Sequence, residues 1–301
     1  MAITVLVPDD EGMTALSEVD GVRGVRYVPG EPLPDAAAEA EVLVPGFGVT
    51  EKILADLPKL RLIQLRSAGA EEWVDIVPPG VLLSTCRGAH GGSTAEWAMA
   101  TLLSLYRELP DFQAAQAERT WRPHGTDTLQ GKRAVIVGAG DVGRQLARRM
   151  TPFDVRVTMV GMTAREGVHG VDELPTLLGE ADIVVLLVPL TSRTRGMVDA
   201  EFLAAMPDGA VLVNAARGPV VDTDALTAEL TSRRLRAILD VTEPEPLPDG
   251  HPLWTTPGVV ITPHTGGFVN GRLDRSYAIV AKELARYAGG ELPENLVHGE
   301  Y

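Results

Sequence analysis

The chain has 301 residues, a formal net charge of −14, 45% hydrophobic and 23% charged residues, and a single cysteine, Cys86. At ~150 residues per domain that length suggests about two domains, enough to bury a core without disulfide or metal staples. The acidity argues against a nucleic-acid binder and against attraction to anionic membrane, and one cysteine excludes an internal disulfide and a Cys-based zinc site; no metal is expected.

Short apolar runs alternate with turns and helical segments. Ile3–Val7, closed by Pro8 and Asp9, is the first expected strand. Residues 25–28, 41–44, 60–65 and 81–85 are four more, with a helical segment at 50–57. Near-continuous apolar strands with helical crossovers predict an open parallel α/β unit. Residues 93–106 (STAEWAMATLLSLY) predict a buried helix, with Ser93 as cap and Glu96 completing a capping box; such a helix suits a bridge between two units. A second α/β pattern opens at Lys132. Its strands are expected at 134–137, 155–160, 183–188, 210–214, 237–241 and 259–262, and its helices at 142–150, 199–205 and 222–232. A last helix covers 270–287, stopped by Gly289 and Gly290, and a short tail is expected to return to the first unit. The fold expected is two doubly wound parallel sheets: a flavodoxin-like unit of residues 1–92 with 271–301, and a dinucleotide-binding Rossmann-like unit of 93–270. No targeting segment and no apolar run of about 18 residues is seen, which gives a cytoplasmic expectation.

Four motifs fall at strand ends of the second pattern. Gly138-Ala139-Gly140-Asp141-Val142-Gly143 follows an apolar strand and opens a helix, the context in which G-x-G-x-x-G cradles a pyrophosphate. About 20 residues on, where a carboxylate would hold a ribose 2′-OH, stand Gly161 and Met162. Thr163 and Arg165 follow and suit a 2′-phosphate, so NADP is favoured slightly over NAD. Asn214-Ala215-Ala216-Arg217-Gly218 presents a guanidinium fork suited to a carboxylate. The stretch from Asp240 to Pro246 supplies Glu245, and Thr262-Pro263-His264-Thr265-Gly266-Gly267 supplies a histidine, the side chain suited to acid–base work near neutral pH. Arg66 precedes the Ser67-Ala68-Gly69-Ala70 turn, where a second substrate anion or a surface role are equal alternatives. The His at 90, 124, 169, 251 and 298 show no ligand spacing.

Together GAGDVG (138–143), VPLTSRTRGMVD (188–199), NAARGPVVD (214–222), LDVTEPEPLP (239–248), HPLW (251–254) and ITPHTGG (261–267) resemble the D-isomer-specific 2-hydroxyacid dehydrogenases, including the glyoxylate/hydroxypyruvate reductase-like and phosphoglycerate dehydrogenase-like members. The resemblance is strong over residues 93–267 and weaker before. It implies an oxidoreductase that interconverts a small 2-keto acid and its D-2-hydroxy acid with NAD or NADP, working as a cytoplasmic homodimer. It gives Arg217 the substrate's carboxylate and carbonyl oxygen, His264 the proton, and Glu245 the task of orienting His264. Asp240 falls near the nicotinamide amide, and Pro189 and Thr194 beside the adenosine or pyrophosphate. Ala215, Ala216 and Gly266 join the cofactor side, and the backbone at Ala68 and Gly69 the substrate carboxylate. Two alternatives share the fold: a nicotinamide-sensing, corepressor-like binding protein, and a formate- or phosphite-type dehydrogenase.

Overall fold

In the computed structural model, which describes residues 2–299, the run Ile3–Val7 forms β1. Asp9 follows it as an N-cap, its carboxylate accepting from the Gly12 N–H. This starts α1 (Asp10–Ser17). The first unit continues through β2 (Val22–Arg26), β3 (Val42–Leu43), β4 (Leu62–Gln64), α2 (Glu71–Val74) and β5 (Leu82–Ser84). The five strands are parallel, in the order β2-β1-β3-β4-β5. Alternate residues bury on opposite faces: Val5, Val7, Val42 and Leu62 on one, Leu6, Leu43 and Ile63 on the other. Burial on both faces is why β1, β3 and β4 are apolar apart from Thr4 and Gln64.

The second unit holds α3 (Gly91–Tyr106), α4 (Leu109–Ala117), β6 (Arg133–Val137), α5 (Asp141–Met150), β7 (Arg156–Gly161), β8 (His169–Gly170), α6 (Leu174–Leu178) and β9 (Ile183–Leu186). It goes on through α7 (Ala200–Ala205), β10 (Val211–Asn214), α8 (Thr223–Thr231), β11 (Arg236–Leu239) and β12 (Val259–Ile261). Its sheet has seven parallel strands in the order β12-β11-β10-β9-β6-β7-β8. The order reverses at β6 and β9, the place where doubly wound sheets bind ligands outside their carboxyl ends. The chain then returns to the first unit in α9 (Arg272–Ala288), which buries Tyr277, Val280 and Leu284 against the β1 and β3 face. The tail adds to the same unit: Ser84 bridges Leu296, and the Val297 N–H donates to the Leu83 carbonyl. The chain passes between units at His90–Gly91 and again at Val269–Asn270, against 92–93 and 270–271 from the sequence.

Several expectations need correction. The second strand is not 25–28 but Val22–Arg26: the Tyr27 N–H makes the last bond to β1, on the Val7 carbonyl, and its hydroxyl donates to the Val44 carbonyl and accepts from the Gly46 N–H. Residues 50–57 form a 3₁₀ turn over Glu51–Asp56, an i to i+3 arrangement used in short connectors. Ser93 does not cap its helix, since α3 begins two residues earlier at Gly91. A side chain at Gly91 would strike the Asp141 carboxylate, so the glycine lets α3 lie against α5. The sequence also left α1, α2, α4, α6 and β8 unassigned.

Candidate active site

In the second unit, all the expected site residues follow carboxyl ends of adjacent parallel strands or sit within the segments that close them. The Gly-rich loop follows β6, Met162 to Arg165 follow β7, Pro189 and Thr194 follow β9, Arg217 follows β10, Asp240 and Glu245 follow β11, and His264 follows β12. Ala68 and Gly69 lie in the first unit, just after β4.

The Gly-rich loop fits a dinucleotide on steric grounds. A Cβ at Gly138 would strike the Leu187 carbonyl, and one at Gly143 would strike the Gly138 carbonyl, whereas the Cβ position at Gly140 meets nothing within 4 Å. The outer glycines press the turn together, and the middle one leaves open the space that a pyrophosphate needs. Asp141 and Val142 open α5 there. The Asp141 carboxylate is turned toward Gly91, so from this residue only the backbone faces the anion position.

The segment after β7 replaces the usual carboxylate with cations. An ideal Cβ on Gly161 would stand 2.9 Å from Arg165 Nη1, so the Arg165 guanidinium covers that glycine. A tight turn holds Arg165 by paired backbone bonds with Val168. Its side chain donates to the carbonyls of Thr163 (3.4 Å) and Ala139 (3.3 Å). Arg144, from the first turns of α5, donates to the same Ala139 carbonyl at 3.0 Å. Arg193 reaches across to the Met162 sulfur at 3.8 Å. Among the described residues none of these three arginines forms an ion pair. Arg144 and Arg193 escaped the sequence argument; the signal available was a basic side chain one residue after the last glycine.

Three sequence assignments take on different work. The Thr194 side chain is buried and spent inside its own loop, donating to the Pro189 carbonyl at 2.6 Å and accepting from the Thr191 N–H at 2.8 Å. Ala216 belongs to the apolar core, with its N–H on Asn214 Oδ1 at 3.0 Å; Ala215 beside it is half-buried. Arg66 is drawn into an ion pair with Asp9 (2.5 Å), a hydrogen bond to the Pro45 carbonyl (3.2 Å) and contact with the Tyr277 hydroxyl (3.3 Å). Its charge is thereby compensated within the unit, as the sequence had not foreseen.

At the β10–β12 edge, Asn214 shapes the turn to Arg217: its amide donates to the Arg217 carbonyl at 3.1 Å. Gly218 is required because any side chain there would enter the Thr242 carbonyl. His264 Nδ1 lies 2.8 Å from Glu245 Oε1, with the two side chains 50% and 42% exposed. With the Glu245 carboxylate accepting the Nδ1–H, Nε2 is the ring nitrogen that Glu245 leaves unengaged. His264 has a left-handed backbone, φ 55°, uncommon for a residue with a side chain. Its N–H is held by the carbonyls of Asp240 (2.8 Å) and Thr262 (3.0 Å). The Asp240 carboxylate is 4% exposed. It accepts from the Thr262 hydroxyl (2.6 Å) and the N–H groups of Thr265 (2.8 Å) and Gly266 (2.9 Å). A carboxylate has about four acceptor positions, and three of them are taken here. Among the described residues no cluster of three or more His, Cys, Asp or Glu is arranged to hold a metal, and no helix is long and apolar enough to cross a membrane.

Known proteins resemble this chain over most of its length. The sequence model for the D-isomer specific 2-hydroxyacid dehydrogenase NAD-binding domain matches residues 99–266. A glyoxylate reductase of Thermofilum pendens is 33% identical over 84% of the chain and 80% of its own length. A D-3-phosphoglycerate dehydrogenase of Methanocaldococcus jannaschii is 31% identical over 98% of the chain, which spans only 59% of that relative. The crystal structure of a D-isomer specific 2-hydroxyacid dehydrogenase from Xanthobacter autotrophicus, in complex with NADPH and MES, superposes with a TM-score of 0.84 at 31% identity, covering 99% of this chain and 98% of that one. A family protein from Aeromonas salmonicida gives 0.88 at 26% identity, covering 99% of each.

Proposed function

Since the chain belongs to the D-isomer specific 2-hydroxyacid dehydrogenase family, we propose that it interconverts a small 2-keto acid and the corresponding D-2-hydroxy acid, with NADP preferred over NAD. The observation that carries the reaction is the 2.8 Å His264–Glu245 pair, built on the ends of β11 and β12, next in the sheet to the β10 end that carries Arg217. The nicotinamide, when bound, supplies the hydride that goes to C2. Arg217 binds the substrate's carboxylate and carbonyl oxygen and draws electron density toward that oxygen. His264 Nε2 gives its proton to the same oxygen, so hydride and proton together turn C=O into CH–OH. Glu245 holds the ring by Nδ1, which fixes its orientation and turns Nε2 toward that oxygen. In the first unit the backbone N–H groups of Ala68 and Gly69 are the proposed partners of the substrate carboxylate.

The cofactor preference is supported by Arg165, Arg144 and Arg193. Three guanidinium groups without a carboxylate partner, in a chain of net charge −14, suit a 2′-phosphate. Gly161 removes the carboxylate that would repel it. The NADPH bound to the Xanthobacter relative agrees with this. A homodimer in the cytoplasm remains part of the proposal, to be checked by sedimentation and fractionation.

The test is the oxidation rate of NADPH and NADH with glyoxylate, hydroxypyruvate, pyruvate and a bulky aromatic 2-keto acid. Turnover with any of them, faster with NADPH, is the expected result. Cofactor binding without turnover on any of them would overturn the reductase assignment in favour of a sensing role.

A further inference from the structure

We propose that Trp97 is a positioning residue for the proton donor, acting on His264 through Thr262 and Asp240; this rests on His264 being that donor. Trp97 lies on α3, whose inward residues Ala95, Ala98, Met99 and Leu102 enter the apolar core. Packing alone would accept any large apolar ring at position 97. The indole adds a single polar atom, and that atom is engaged: Nε1–H donates to Thr262 Oγ1 at 3.0 Å.

An indole N–H only donates, and a threonine hydroxyl has one proton. With Trp97 donating to it, the Thr262 oxygen accepts on that side and its own proton goes to Asp240 Oδ1, 2.6 Å away. The direction of the chain is therefore fixed, from indole to hydroxyl to carboxylate. The same carboxylate oxygen takes the Thr265 N–H, the other takes the Gly266 N–H, and the Asp240 carbonyl takes the His264 N–H. The turn that carries His264 thus hangs from one buried residue on both sides of the histidine. It needs such support, because a left-handed conformation at a residue with a Cβ persists only when its surroundings impose it. The ring of Trp97 also floors the turn: an ideal Cβ on Gly266 would sit 3.5 Å from its Cγ and Cδ2. Removing the indole N–H leaves the Thr262 hydroxyl free to rotate away from Asp240, loosening the orientation of the imidazole while the cofactor loop after β6 is untouched.

The experiment compares W97F, T262V, T262S and the W97F/T262V double variant in the full chain. With the best 2-keto acid, W97F and T262V are each expected to lower kcat by about 10- to 100-fold, the scale of a small misplacement of a reacting group. NADPH affinity, read by fluorescence titration, is expected to fall less than kcat, since the phosphate loop after β6 is untouched and only the nicotinamide side of the cofactor meets Asp240 and Gly266. The solvent deuterium isotope effect on kcat is expected to rise in W97F as proton transfer becomes limiting. The double variant is expected to be no slower than T262V, because both remove one chain, and T262S to restore wild-type rates. A second readout needs no turnover: the His264 ring resonances of the unliganded protein are expected to move in W97F and T262V and to stay in T262S. If the wild type reduces none of the acids, the reductase assignment fails, while the His264 resonances still decide whether the chain reaches the imidazole. Wild-type kcat with unmoved His264 resonances in W97F, or additive losses in the double variant, would overturn the proposal.

Discussion

Glu245 selects which nitrogen of His264 faces outward, and a consequence can be measured one residue at a time. His264→Ala is expected to lower turnover by about 10²-fold or more, the contribution of a general acid, with NADPH affinity unchanged; near-normal kcat would remove His264 from the reaction. Gly161 and Arg165 form a second residue-scale pair, one side chain lying over the bare backbone of the other. Arg165→Ala is expected to weaken NADPH more than NADH, as judged by the two dissociation constants. Gly161→Asp places a carboxylate against the guanidinium and the 2′-phosphate position together, and the ratio of kcat/KM for NADPH over NADH is expected to fall. Equal loss of both cofactors in Arg165→Ala would free Arg165 from any part in recognising the phosphate. The Gly161 substitution for a carboxylate was legible in the sequence because it depends on a fixed distance from the Gly-rich loop. Arg144 and Arg193 were not, because only the folded chain brings Arg144 to the Ala139 carbonyl that Arg165 also reaches, and Arg193 to Met162.

The elements that bind chemistry were read best where local pattern and burial agree. The strands β6, β9, β10 and β11 sit inside the sheet and are apolar apart from Arg133, Asn214 and Arg236 at their ends, so a run of Val, Ile, Leu and Ala marks them. β2 is an edge strand, VRGVR, half-exposed along its length, and its true register follows from pairing Ile3 with Val22, which no local run announces. α1 is only eight residues long with a glycine inside it; Gly12 is there because a Cβ would stand 2.7 Å from the Tyr277 hydroxyl on α9, a contact 265 positions away in the chain. Trp97 and Thr262 are likewise 165 residues apart, beyond any spacing argument. At the junction leading into α3, the His90 ring is held below its ordinary range by burial and by the charges of Arg272 and Arg275. The unfolded chain therefore takes up the proton first as pH falls below about 6.5, and this part of the stability, fully present above that value, is lost on acidification. Asp127, Glu173 and Glu294, whose pKa values are lowered, begin to lose their contributions only near or below 4.5. Thermal unfolding between pH 7 and 5 is expected to be flatter in His90→Gln than in the wild type; parallel curves would show that His90 does not set this dependence.

At the scale of the whole molecule, two sheets are built from one chain that leaves the first unit and comes back to it. Val5, Val7, Leu16 and Val42 share a core with Tyr277, Val280 and Leu284, while the second unit draws on Gly91–Val269 alone. Removal of residues 270–301 is expected to abolish cooperative unfolding of the first unit and to leave an NADPH-stabilised transition from the second, read by calorimetry with and without the nucleotide. A single transition that survives truncation would mean that α9 contributes little to that core. The return of α9 also bears on the order of events during synthesis. Residues 1–90 leave the ribosome before the second unit, yet the helix that covers one face of their sheet is made only after that unit. Domains generally fold in the order they emerge; here the later unit has all its strands and helices available first, and the earlier one waits with its Val5, Val7 and Val42 face uncovered until α9 has been made.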